Sequence, residues 1–449
     1  MESPKIVLLH CGEEVYPQGP LDETAAEVKK GLLELNLELC ACCTIINEKT
    51  AEEALREVNG KDFDVIVVHF VSWHITPFVM RVLKEYRQTP ILAWATGGRR
   101  DAGGKLHSPA AAAGITALIP VLREMGFHYK AIYEMPDQAH KFGEVEAFAR
   151  VAAAYRRIRG SRIGLVGYAD MGLYTCAYDR TAIFNKLGID VEDYFSYEIG
   201  QMMESAPADA IRGIVAEMKG RLVFENTVPE SVLEKIARLY CALRKKVGER
   251  GLDAVSIKCV NGVTRYMGVN PCMAQSMLAG SDLSVICECD AHGLITTMMM
   301  SMLTGQTATF FENYEFFENE ILIGTCGFLP FDFAQGPIRA RSANLGDFFT
   351  GLSNVSAVRP GTMTLARLYK DGENYKMFLT KGEARPPMKW VELGWDEPTP
   401  DFPSVLLKLD IPVQSYLENV PGQHIIAAYG DHIQAMKALC GLFGIETVC

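Results

Sequence analysis

Two acids and one histidine, Glu288, Glu312 and His424, have the residue types and settings best suited to chemistry. Glu288 stands between Cys287 and Cys289 at the end of the apolar run LSVIC, and an acid so placed needs a countercharge or a metal. Glu312 ends a second run, TATFF. Between them the sequence predicts a helix: Asp290 is its N-cap, the apolar stretch runs to about Thr304, and Gly305 fits the left-handed position past its end. Read as one strand-helix-strand unit, the crossover makes the strands parallel, and both acids leave the sheet at its carboxyl edge. That is where open α/β sheets bind ligands. Neighbouring strands lie about 4.8 Å apart, so two carboxylates from adjacent strand ends can share one divalent cation. His424 follows the Pro-Gly turn of NVPGQH and precedes the apolar IIAAY, a usable position for a third ligand. Spacing alone also fits the acids as solvated loop residues and the histidine as a structural one.

Other clusters point elsewhere. Arg99 and Arg100 lie in the glycine-rich turn GGRRDAGGK just past the strand end at Thr96, and paired guanidinium donors there match a sulfonate, phosphate or carboxylate. They fit a solvated loop as well. Met298, Met299, Met300 and Met302 follow one helix and read as core. Cys40, Cys42 and Cys43 have no second Cys/His pair to complete a metal site. GYADMGLY follows a strand but lacks the glycines and the Lys-Ser/Thr pair of a phosphate loop.

The elements that must position these residues fall into three series. From 1 to 160, runs such as KIVLLHC, DVIVVHF and PILAWAT are continuously apolar, as strands buried on both faces should be. Helical patterns with three- and four-residue spacing separate them. A second alternating series, 161–335, begins at RIGLVGY and contains Glu288 and Glu312. From 336 to 449 the texture becomes Gly/Pro-punctuated and extended, which predicts an antiparallel, β-rich domain carrying His424. The expected fold class is therefore α/β: two tandem doubly wound parallel-sheet domains followed by a β-rich C-terminal domain.

Composition narrows the class of function. The chain is 49% hydrophobic and 22% charged, the balance of a globular protein, and no apolar run approaches the roughly 20 residues of a membrane-spanning helix. A net charge of −11 argues against nucleic acid as a partner. The first residues pass directly into a strand-like run with no leader pattern, and the 13 cysteines lack the spacing of a disulfide framework, so a cytoplasmic location is expected.

The segment VICECDAHGLITTMMMSMLTGQTATFFEN resembles the L-fucose isomerase and L-arabinose isomerase superfamily, and the fucose-type branch more closely. The match lies in an acid two residues before Asp290, Leu-Thr-Gly at 303–305, then an aromatic followed by a second acid. GYADMGLYTCAYD, VSWHITP, ILAWATGGRRDAGG and PGTMTLARL extend the similarity over most of the chain. The resemblance implies an aldose-ketose isomerase acting on an open-chain sugar through an enediol(ate). It implies Glu288 and Glu312 as acid and base, and these two with His424 as ligands of Mn²⁺, with Mg²⁺ or Co²⁺ possible. Met171 falls in the implied substrate pocket, and Trp73 matches an aromatic offered to a neighbouring subunit, implying a trimer or hexamer with a shared site. Cys326 stands where arabinose-type members have a further ligand histidine. The implied substrate is a deoxy or pentose sugar, or a sulfosugar such as sulfoquinovose. A sugar-binding module without catalysis and a metal-dependent epimerase or aldolase are the alternatives.

Overall fold

The computed structural model describes residues 2–344, 350–394 and 401–448. Its first five long strands are β1 (Lys5–Cys11), β2 (Glu38–Ile45), β3 (Val65–Phe70), β4 (Ile91–Thr96) and, after a short ribbon of β5 (Arg99–Arg100) and β6 (Leu106–His107), β7 (Tyr129–Glu134). They form one parallel sheet in the order β2-β1-β3-β4-β7. Every residue of β3 and β4 is buried, because helices cover both faces of the sheet. The chain divides into two compact units, 1–157 and 158–449, and this sheet belongs to the first.

In the second unit the strands follow as β8 (Arg162–Val166), β9 (Asp190–Tyr194), β10 (Leu222–Phe224), β11 (Ala254–Ile257) and β12 (Ser284–Cys287). Then come β13 (Thr309–Phe316), β14 (Ile321–Gly324), β15 (Ile338–Asn344) and β16 (Thr350–Asn354). The last are β17 (Gly361–Asp371), β18 (Asn374–Arg385), β19 (Ser404–Leu409), β20 (His424–Tyr429) and β21 (Glu446–Val448). A parallel sheet has the order β12-β11-β8-β9. An antiparallel sheet runs β17-β20-β13-β14-β19-β18 and closes on itself where β18 pairs with β17. The result is a six-stranded barrel, with β21 added parallel to β18. Phe311, Ile323, Leu365, Leu407, Ile425 and Ala427 pack together as its interior. Strand alternation therefore sets Glu312 and His424 on its outer face. A small third sheet joins β10, β15 and β16.

One expectation is corrected. β12 and β13 do not form a parallel crossover unit, because β12 ends the parallel sheet while β13 enters the antiparallel barrel. The reason is visible in the whole strand TFFENYEF, whose inward Phe311 alternates with Glu312 and whose second half is polar on one face. That is the pattern of an antiparallel strand with one buried face, whereas TATFF alone looks continuously apolar. The boundary expected at 335/336 consequently lies beyond β13 and β14, which are already barrel strands. The helix between the acids is as expected: it spans Ala291–Thr304, with Asp290 as N-cap and Gly305 left-handed at φ +68°. The four methionines on it are buried core.

Candidate active site

The turn after β12 is built against backbone preference. Glu288 and Cys289 have φ of +70° and +51°, in the left-handed region that non-glycine residues enter at a cost of about 1–3 kcal/mol each. Three contacts hold it there. The Glu288 N–H donates to Ile257 O at 2.8 Å, the Asp170 N–H donates to Glu288 O at 3.1 Å, and the Cys289 thiol donates to Val166 O at 3.1 Å. Asp170 is itself buried, its carboxylate accepting backbone N–H groups of Met171, Val260 and Asn261 at 2.9, 2.7 and 3.1 Å. Two loops at the carboxyl edge of the sheet thus lock onto the strained turn.

Asp290 has a second task besides capping the helix through the Gly293 N–H at 2.9 Å. Its Oδ2 lies 2.8 Å from His424 Nδ1, and it forms a two-pronged pair with Arg367, one arm at 3.0 Å. Arg367 and Asp290 are 1% and 0% exposed. Gly293 must lack a side chain, since a Cβ there would come 2.5 Å from Arg367 Nη1. Burial alone would raise the Asp290 carboxyl, but the Arg367 and His424 charges hold it well below the usual range. An ionised carboxylate only accepts, so His424 Nδ1 carries the hydrogen and Nε2 is left for another partner. That nitrogen lies 3.0 Å from Glu288 Oε2. Both atoms are buried, and apart from this contact neither has a hydrogen-bond partner.

Glu312 reaches the same place from the barrel. It is the direct cross-strand neighbour of His424 in the β13–β20 register. Its Oε2 accepts from Gln423 Nε2 at 3.3 Å. Burial, then the charge of Glu288, push its carboxyl up to about 7, against the opposing pull of His424 and Gln423. Burial by itself would depress the His424 imidazole, but the Asp290 hydrogen bond, the Cys176 sulfur and Glu288 hold it well above its ordinary value.

The donor chemistry of these groups suits a divalent cation. Glu288 and His424 offer an oxygen and an imidazole nitrogen 3.0 Å apart, a set suited to Mn²⁺, Mg²⁺ or Co²⁺. Glu312 is the cross-strand neighbour of His424, although the three do not bring ligand atoms within 4.8 Å of one another. Cys176, Asp290 and His424 do bring possible ligand atoms within 4.8 Å of one another. A cation there would have to displace Arg367 from Asp290, which disfavours it. Protons must compete with the metal, because Glu312 is protonated below about pH 7. We expect Mn²⁺ affinity in a calorimetric titration to fall by up to about tenfold per unit as pH drops from 7 to 5.5, and the dependence to flatten in Glu312→Gln. An affinity independent of pH would exclude Glu312 as a ligand.

The structure thus sets Glu288 against His424 and makes Glu312 the cross-strand neighbour of His424. Met171 lies at left-handed φ +48° in the loop that Asp170 ties to Glu288. The other three candidate residues belong to the first unit. Trp73 follows β3 and is 39% exposed. Arg99 pairs with Glu27 and Arg100 with Asp137, each at 2.6 Å, so both guanidiniums are already neutralised. Cys326 acts electrostatically on Tyr314 alongside Glu312 and Glu288, and its thiol is hydrogen-bonded to the free thiol of Cys272. Cys40, Cys42 and Cys43 form no metal-binding group among the described residues, and all 12 described cysteines are free. Sequence reasoning missed Asp170, Cys176, Gln423 and Arg367. Only Arg367 carried a signal, as a lone charge within the apolar strand TMTLARLY.

Comparison with known proteins bears on this arrangement. The chain is 20% identical to a sulfoquinovose isomerase of Alkalicoccus urumqiensis over 393 residues, 86% of each chain. It is 20% identical to one of Priestia megaterium over 353 residues, 76% of this chain and 78% of the relative. A sulfoquinovose isomerase of a Clostridium strain is 25% identical over 249 residues, about half of each. No family model matches. The enzyme class read from the sequence, an intramolecular oxidoreductase interconverting aldoses and ketoses, is that of these relatives, and the chain is an enzyme of that class. No helix among the described residues is long and apolar enough to cross a membrane.

Proposed function

We propose that this chain isomerises an open-chain sulfonated sugar, sulfoquinovose being the best candidate, in a cation-assisted reaction through an enediol(ate) in the cytoplasm. The single observation that carries this reading is the buried contact of Glu288 Oε2 with His424 Nε2 at 3.0 Å, beside a Glu312 carboxyl pushed up to about 7. A divalent cation held by Glu288, Glu312 and His424, Mn²⁺ by the family resemblance, would supply Lewis-acid polarisation of the sugar's O1 and O2. The protein's own groups move the proton. Burial and the charge of Glu288 push the Glu312 carboxyl up to about 7, so Glu312 gains and loses its proton near neutral pH. One carboxylate is then free to take a proton from carbon while the other gives one up, the condition for general acid and base catalysis at a working pH near 7. Asp290 and Arg367 fix the ring of His424, and the tied turn fixes Glu288, so neither must reorganise during the reaction. The fucose-type family, a homo-oligomer of three or six subunits and a pocket completed by a neighbour's Trp73 belong to the same reading.

Chelator-treated protein should show no conversion of sulfoquinovose to its ketose by ¹³C NMR, and added Mn²⁺ should restore it. Solution scattering should show an oligomer. Full activity without metal, or cleavage products in place of a ketose, would overturn the reaction. An active monomer would remove the shared pocket.

A further inference from the structure

One buried cation of the second unit has no part in the proton transfer described above. Lys258 follows β11 and is 5% exposed, yet among the described residues it forms no ion pair. Its ammonium lies 3.2 Å from the centroid of the Tyr168 ring. A cation withdrawn from water needs a countercharge, and the face of an aromatic ring supplies only part of one.

The side chain is held in a fixed groove. A Cβ on Gly167 would come 2.8 Å from Lys258 Cβ, and one on Gly262 would come 2.9 Å from Lys258 Cγ. Glycine at both positions therefore leaves a channel that the lysine stem fills, and Gly167 is also left-handed at φ +103°. The parallel register fixes where that channel sits. Val166 is opposite Ile257, and Ile257 is opposite Cys287. The next residues, Gly167, Lys258 and Glu288, thus form a row across the carboxyl edge of the sheet. Lys258 is one strand from Glu288, on the side leading to Tyr168, which is 69% exposed. Glu288 and His424 are buried. The charges of Glu288 and His424 act on Glu312, and the charge of Lys258 acts on Cys289 together with those of Asp170 and Asp193. The Lys258 ammonium, over the ring of exposed Tyr168, thus lies toward the open side of the site.

We propose that Lys258 receives the anionic end group of the sugar, remote from C1 and C2, and makes a sulfonate, or a phosphate of like charge, preferred there over a neutral group. This rests on the isomerase reading above. It assigns the anion to a preorganised, unpaired cation, in contrast to Arg99 and Arg100, whose charges Glu27 and Asp137 already balance.

The test compares kcat/KM of the metal-loaded enzyme for sulfoquinovose, glucose 6-phosphate and the neutral 6-deoxy sugar quinovose, in wild type and Lys258→Met. The ratio of sulfonated to neutral sugar should fall about 100-fold in the variant, mostly through KM. An equal loss on all sugars would mean that Lys258 serves the reacting carbons, and an unchanged ratio that it serves packing; either overturns the proposal. A preference of wild type for the phosphorylated sugar would retain the anion site and change its ligand. Calorimetry with the reduced, non-isomerisable sulfonated hexitol gives a readout independent of turnover. Tighter binding than glucitol in wild type, lost in Lys258→Met, supports the site even if no sugar is isomerised, an outcome that would defeat the isomerase reading alone. Should Lys258→Met fail to fold, Tyr168→Leu at an exposed position carries the test. Releasing the ammonium there should lower the ratio of hexitol affinities several-fold, and no change would count against the proposal.

Discussion

Glu312→Gln and Glu288→Gln should each lower kcat by at least about 10³-fold, measured as ketose formation at saturating sugar and Mn²⁺. General acid or base catalysis by one positioned group contributes about 10²–10⁴-fold, and each substitution also removes a proposed metal ligand. The fold should survive both changes. Glutamine keeps the shape of glutamate, the turn at Glu288 is held by the backbone of Ile257 and Asp170, and Glu312 lies on the outer face of a barrel whose interior is apolar. For Glu312 the sign of the stability effect follows from its raised carboxyl. A folded-state pKa near 7, above the ordinary 4.5, means that the group favours folding at low pH and loses that contribution as pH rises from 4.5 to 7. Metal-free Glu312→Gln should therefore melt no lower than wild type at pH 7.5. A variant with near wild-type turnover would remove that residue from the proton-moving pair.

Arg367→Met should be the most destabilising change at this site. The guanidinium faces Asp290 with both groups shielded from water, so its removal strands a buried carboxylate. Breaking such a pair from one side costs about 3–5 kcal/mol. Chemical denaturation of metal-free protein should show that loss, and Asp290→Asn combined with Arg367→Met should recover part of it because no unpaired charge remains. Activity should not return with stability. Without an ionised Asp290 the proton on His424 Nδ1 is no longer enforced, and Nε2 is no longer reserved for the cation. Recovery of both together would show that the pair acts only on folding. An Arg367→Met variant as stable as wild type would show that the buried pair is not needed.

Much of this site was legible in the chain. A carboxylate between two cysteines at a buried strand end, an Asp cap, an apolar helix closed by glycine and a histidine after a Pro-Gly turn all rest on short-range rules of burial, capping and backbone conformation, and the structure keeps each of them. Alternation in the first 160 residues likewise determined a parallel, helix-covered sheet, because a strand buried on both faces must be apolar throughout. Closure was a different matter. Whether β13 continues the parallel sheet or enters the barrel depends on which distant edge its backbone groups find, and β20, more than 100 residues later, supplies that edge. The same closure decided that Glu312 stands opposite His424, and that Asp290, expected only as a helix cap, also orients the ring and pairs with Arg367. Lys258 acquired its setting in this way too: its neighbours in sequence show an ordinary strand end, while its burial comes from Gly167 and Gly262 folding against its stem. Local pattern determines what each segment is, but the countercharge for a buried group comes from wherever the fold brings one, and only the tertiary structure decides that.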